Sequence, residues 1–134
     1  MKFEDKYFNC FKFEREQISK NFQNASRDFD IAVKDEILDV KFNYTYSALI
    51  KAGIALLSFK NIKVKSVPGH HSKIIEQISR ILKDNSIMTI GNLMRSKRNL
   101  DFYAGGVEVT EKECKEFMEF TGKVLSKIEK IIFD

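Results

Sequence analysis

Apolar positions recur every three to four residues along most of this chain. Ile18, Phe22, Ala25, Phe29 and Ala32 fall at i, i+4, i+7, i+11 and i+14, one stripe on a 3.6-residue repeat, which predicts an amphipathic helix. A second helix is predicted from Asp35 or Asp39 to about Lys60. Between Tyr44 and Phe59 it is apolar on nearly every side, with Lys51 its only charge. That is the pattern of a helix buried all round. Gly53 inside it costs about 1 kcal/mol in helix propensity, and its place predicts a close helix contact. Asn61 to Gly69 reads as a loop broken by Pro68 and Gly69. Ser72 is a candidate N-cap for a third helix, whose stripe is Ile74, Ile75, Ile78, Ile81 and Leu82. The Asp84-Asn85-Ser86 turn carries capping groups of its own. A fourth helix follows, with Ile87, Ile90, Leu93, Met94 and Leu100 as its predicted apolar face and Gly105 and Gly106 as its stop. Thr110-x-x-Glu113 is a capping box opening a fifth helix, with Phe117, Phe120/Thr121, Val124, Ile128 and Ile131/Ile132 facing inward. At the N-terminus Phe3, Tyr7 and Phe11 also lie at helical spacing. They read as packing on the bundle in preference to a base-stacking surface.

These stripes and short capped connections predict an all-α protein, an up-and-down four-helix bundle with one or two additional helices. At 134 residues, residues 1–134 form a single domain large enough for a real core. One Pro and six Gly disfavour a many-turned β fold. The formal charge of +4 permits a polyanionic partner without demanding one. Cys10 and Cys114 have no CxxC spacing, and no signal peptide is evident, so a reduced, cytoplasmic chain is expected. The longest apolar run, Ile54 to Leu57, is far shorter than the ~18 residues a membrane span needs, so no membrane partner is expected.

Candidate chemistry is sparse. There is no Walker loop, GxGxxG, GxSxG or HExxH. His70-His71 has no further ligand at metal spacing, and no metal or cofactor is expected. Placed before a helix, either imidazole suits a phosphate ligand or a capping role. Cys114 sits beside Glu113 and Glu116, which raise a thiol pKa and make a poor nucleophile. The distinctive stretch is Leu93 to Gly106. Arg95, Lys97 and Arg98 fall within four positions, followed by Asn99, Asp101 and Tyr103. On a helical wheel Arg95, Asn99 and Tyr103 share one polar stripe with Asn92 and Ser96. Arg98 falls at the border of the apolar face, three residues from Asp101. An amphipathic helix with a solvated basic face accounts for the same residues.

Arg98-Asn99-x-x-x-Tyr103 resembles the motif of the HEPN (higher eukaryotes and prokaryotes nucleotide-binding) family, an Arg and a His separated by four to six residues, often with a polar residue after the Arg. Arg98 and Asn99 match, and Tyr103 stands where the His belongs. Tyr44-x-Tyr46-x-Ala48 through Ala55-Leu56-Leu57 resembles the family's second helix. Gly69-His70-His71 and the Ile-rich stretch after it look like its loop and third helix. The likeness spans roughly residues 18–132. It implies catalytic or formerly catalytic Arg98, Asn99 and Tyr103, and ligand binding by Arg95, Arg98, His70 and His71. It also implies a homodimer that joins two motifs in one cleft. The expected function is a nucleotide- or RNA-binding module, non-catalytic or weakly catalytic, acting with a partner protein. The alternative is a metal-independent endoribonuclease toxin paired with a nucleotidyltransferase-type antitoxin, and a further alternative is a purely structural bundle. Tyr103 weighs toward binding, because a phenol titrates near 10 and is a hydrogen-bond donor at pH 7 more than a base.

Overall fold

The computed structural model describes residues 5–104 and 109–134, and the side chains of 101–104 are not among those described. Among the described residues five helices make an all-α bundle: α1 (Arg15–Lys34), α2 (Leu38–Phe59), α3 (His70–Leu82), α4 (Asn85–Ala104) and α5 (Glu111–Phe133). Two three-residue strands, β1 (Phe8–Cys10) and β2 (Ile62–Val64), pair antiparallel with Phe8 opposite Val64 and Cys10 opposite Ile62. No described helix is long and apolar enough to cross a membrane.

α2 is the central helix, as its all-round apolar character requires. Ala48, Leu49, Ala52, Ala55, Leu56 and Leu57 are all fully buried. α1 folds back along it through a short connection, and three contacts fix the antiparallel pairing. Asn21 Nδ2 donates to Ser58 Oγ at 3.3 Å, Ser47 Oγ donates to Asp28 Oδ2 at 2.7 Å, and Lys51 Nζ stands 2.8 Å from Asp28 Oδ2. Asp28 is a buried carboxylate on the apolar stripe of α1, tolerable only because these partners meet it. α5 closes the other side. Its Thr110 capping box forms in full, Thr110 Oγ1 accepting from Glu113 N at 3.0 Å and Glu113 Oε1 accepting from Thr110 N at 3.1 Å. Cys114, Phe117, Thr121, Val124, Leu125, Ile128 and Ile132 are its buried residues.

Two glycines set how α3 and α4 dock. A Cβ on Gly53 would stand 2.4 Å from Ile74 Cγ2 and 2.7 Å from Ile78 Cδ1, so α3 lies against the α2 backbone there. A Cβ on Gly91 would stand 2.7 Å from Ile75 Cγ2, so α4 approaches α3 equally closely. The β2 return carries the chain back past α2, and α3 then runs in the same sense as α2. Its His71 meets Tyr46, and further along both helices Ile74 and Ile78 meet Gly53.

Three expectations from sequence need correction. The N-terminal aromatics do not extend a helix: Phe8–Cys10 is a strand, and the expected 61–69 loop contains its partner β2. Phe3 lies outside the described residues. α3 begins at His70, not after Ser72, with Gly69 in the left-handed conformation at φ 86° as its N-cap. Among the described side chains of α4 the buried residues are Ile87, Gly91 and Met94, while Leu93 and Leu100 are 48% and 57% exposed. Gly91 explains the rotation, because only its face admits the close approach of Ile75. The expected stop at Gly105 and Gly106 lies outside the described residues.

Candidate functional site: a Tyr–His–Arg cluster at the α2–α3–α4 junction

Ile87, Gly91 and Met94 are followed on the same helical face by Arg98, seven residues beyond Gly91. The contact that turns Gly91 toward α3 therefore also turns Arg98 inward, and its guanidinium carbon lies 5.7 Å from the centroid of the Tyr46 ring. Tyr46 stands seven residues before Gly53, so it too points at α3. Its side chain is 1% exposed, and a buried phenol needs a partner for its hydroxyl. That partner is His71, in the first turn of α3, with Tyr46 Oη and His71 Nδ1 3.0 Å apart. The two rings are 5.7 Å apart. His70 packs edge-on against His71 at 4.5 Å, and its Nδ1 lies 2.7 Å from the Val67 carbonyl. Arg95, one turn before Arg98, is half-buried and its Nε donates to Asn92 Oδ1 at 3.4 Å. Three helices thus contribute one polar group each to a single junction, with His70 and Arg95 at its edge.

The electrostatics follow from burial and from the two arginines. Burial pushes the Tyr46 phenol up to about 12, although Arg98 and Arg95 oppose it. Burial also lowers His71 to about 4, and His70, Arg98 and Arg95 push in the same direction. At pH 7 both rings are therefore neutral beside two guanidinium charges. A phenol that donates to Nδ1 leaves the imidazole proton on Nε2, making that nitrogen a donor. The junction then offers cationic and neutral donors together, a set that suits phosphate oxygens.

The structure brings Arg98, His71 and His70 together and keeps Arg95 within electrostatic reach. Asn99 is half-buried, and among the described residues it makes no hydrogen bond to Tyr46 or the histidines. The Tyr103 side chain, and Asp101 as a partner for Arg98, lie outside the described residues. Tyr46 is the member sequence reasoning missed, since it read only as one more apolar position. The available signal was its hydroxyl, which a helix buried on all sides leaves without water. Cys114 is a buried free thiol raised chiefly by burial, with Lys41 opposing, so desolvation and not Glu113 or Glu116 accounts for its direction. Among the described residues no group of three or more His, Cys, Asp or Glu is placed to hold a metal ion. An open groove of about 1460 Å³ between α1, α2 and α5, lined by Phe29, Val33, Leu38 and Met118 among others, includes none of the cluster.

Comparison of the chain with protein-family models, curated proteins and solved structures finds no match.

Proposed function

We propose that the chain is a HEPN-like nucleotide- or RNA-binding module whose phosphate site is the Tyr46–His71–Arg98 cluster, with Arg95 and His70 at its margin. The carrying observation is Arg98 itself. Its half-buried guanidinium lies on the inner face of α4, 5.7 Å from the ring of the buried Tyr46, which brings the planar fork suited to a phosphate to the junction of three helices. Beside it lie the Tyr46–His71 pair and the first turn of α3, and a helix N-terminus favours an anionic oxygen. The histidines come from α3 and the arginines from α4, so the site depends on the fold and not on the spacing of one helix.

The module acts as a homodimer with a partner protein. Support for self-association comes from the outer face of α4, where Met88, Thr89, Leu93, Ser96 and Leu100 are exposed and uncharged. A surface without charge pairs with its own copy at no cost in like-charge repulsion. A second reading, a metal-independent endoribonuclease toxin held by a nucleotidyltransferase-type antitoxin, is favoured by one observation. His71 is neutral at pH 7, as a proton acceptor must be. Its basicity, near 4, makes it weak in that role, which places binding ahead of cleavage.

Titration calorimetry with a nucleoside monophosphate tests the reading. The folded protein binds it, and Arg98→Ala weakens binding about tenfold or more, the scale of a charge-assisted hydrogen bond. Equal binding by both forms, or none by either, defeats the phosphate site. Cleavage of a labelled RNA by the wild type but not by Arg98→Ala would move the conclusion to the ribonuclease.

A further inference from the structure

Five lysines, Lys6, Lys12, Lys60, Lys63 and Lys65, and one acid, Asp5, lie within residues 5–13 and 60–65. These are the β1–β2 ribbon and its immediate flanks. The whole chain has 23 basic and 19 acidic residues, so everything outside the ribbon carries 18 of each sign. The two segments together carry a formal +4, with Glu14 directly after the first of them. Pairing far in sequence creates the patch, because β1 and β2 are more than fifty residues apart and only their antiparallel register sets the two lysine groups side by side.

The lysines are interleaved with aromatic rings. Phe11 is 44% exposed, with Lys63 Nζ 5.2 Å from its ring centroid and Phe13 edge-on at 4.7 Å. Tyr7, at the other end of β1, has Lys6 and Lys73 ammonium groups each 5.4 Å from its ring. Lys73 also pairs with Glu76 at 3.5 Å. Of these rings Phe11 is exposed, while Tyr7 and Phe13 are half-buried against the core, and an exposed ring flanked by cations suits single strands, whose bases stack while their phosphates meet the charges. The ribbon is also continuous with the phosphate site. The Tyr7 hydroxyl lies 3.6 Å from the position a Gly69 Cβ would occupy, at the cap of the helix that begins His70-His71. From Tyr7 to Phe11 the strand spans roughly 13 Å, about two nucleotides of extended backbone.

We infer that the β1–β2 ribbon is a single-stranded RNA track leading from the Tyr46–His71–Arg98 cluster, so that the ligand of this protein is a polymer and not a free nucleotide. The inference rests on the phosphate-site reading and extends it. A membrane surface or an acidic protein would also meet the charge; RNA is favoured because the ribbon adjoins the cap of α3, where the phosphate site begins.

Fluorescence anisotropy with a labelled twelve-nucleotide single-stranded RNA tests it, beside calorimetry with a nucleoside monophosphate. Combined Lys60→Gln, Lys63→Gln and Lys65→Gln lowers RNA affinity and flattens its salt dependence by about 2 in log–log slope, roughly 0.7 for each phosphate no longer neutralised. Mononucleotide binding stays unchanged. Phe11→Ala, an exposed position, weakens RNA binding by about tenfold with the salt slope retained. Far-ultraviolet dichroism checks that each variant is folded. RNA affinity and slope unchanged in both variants overturn the track while leaving the phosphate site standing. Loss of mononucleotide binding in Arg98→Ala with RNA binding intact would overturn the continuity between site and track. Wild-type binding to anionic vesicles, with none to RNA, would reject RNA as the occupant.

Discussion

Gly91 and Arg98 lie on one face of α4, and the glycine decides where the arginine goes. Ile75 packs where a Gly91 side chain would be, with its Cγ2 2.7 Å from the position of the missing Cβ. That contact turns α4 so that Arg98 faces Tyr46 and Leu93 and Leu100 face outward. A glycine is therefore a specificity element for the candidate site, although it touches none of the polar groups.

The Gly53 contact is equally restrictive, and Gly53→Ala separates packing from helix propensity. Alanine is the better helix former by about 1 kcal/mol, but its methyl would overlap Ile74 and Ile78. Urea denaturation should show a net loss of about 1–3 kcal/mol, the usual cost of overpacking. A gain in stability would mean that α3 does not sit against α2 as described.

Tyr46→Phe keeps the ring and removes the hydroxyl that meets His71. The expected loss is about 1 kcal/mol in the same experiment, whereas Tyr46→Ala should cost about 3–5 kcal/mol by opening a cavity. Equal effects would show that the hydroxyl, not the ring, carries the contribution of this residue.

His71 gives a pH signature whose sign is fixed. In the unfolded chain an imidazole takes up its proton near 6.5, while in the folded protein His71 does so only near 4. Between those values the unfolded state binds more protons, so stability is full above about 6.5 and falls as pH drops toward 4. His71→Gln should flatten this part of the stability–pH curve measured by denaturant midpoints. An unchanged curve would remove His71 from the buried junction.

The exposed α4 face gives a prediction about assembly. Sedimentation should yield a dimer mass at micromolar concentration, and Leu93→Lys with Leu100→Lys should yield a folded monomer. A wild-type monomer would dismiss self-association through this face.

Much of the bundle was legible in the chain, and the residues show where legibility stopped. The stripes of α1 and α5, the all-round apolar α2 and the Thr110 capping box are local patterns, and each forms where its spacing placed it. The β ribbon was not legible, because three-residue strands are too short to show alternation and their pairing depends on residues far away. The rotation of α4 was misplaced for a different reason. Its inward stripe runs through Gly91 and includes Arg98, neither of which registers as hydrophobic, while Leu93 and Leu100 do. Each histidine and arginine stands out in the sequence by itself. Their meeting at Tyr46 does not, since it depends on α2 and α3 running in the same sense after the β2 return.

The most direct test of the phosphate site is an NMR titration of the His71 imidazole with and without a dinucleotide, whose phosphodiester does not itself titrate near neutrality. A His70→Gln variant assigns the signal. Alone, His71 should titrate near 4. With the phosphodiester held beside Arg98 and Arg95, the anion offsets the two guanidinium charges, and the midpoint should move upward. By linkage, dinucleotide affinity should then rise as pH falls below neutrality. A His71 midpoint and chemical shift that stay the same at saturating dinucleotide would contradict the cluster as the binding site.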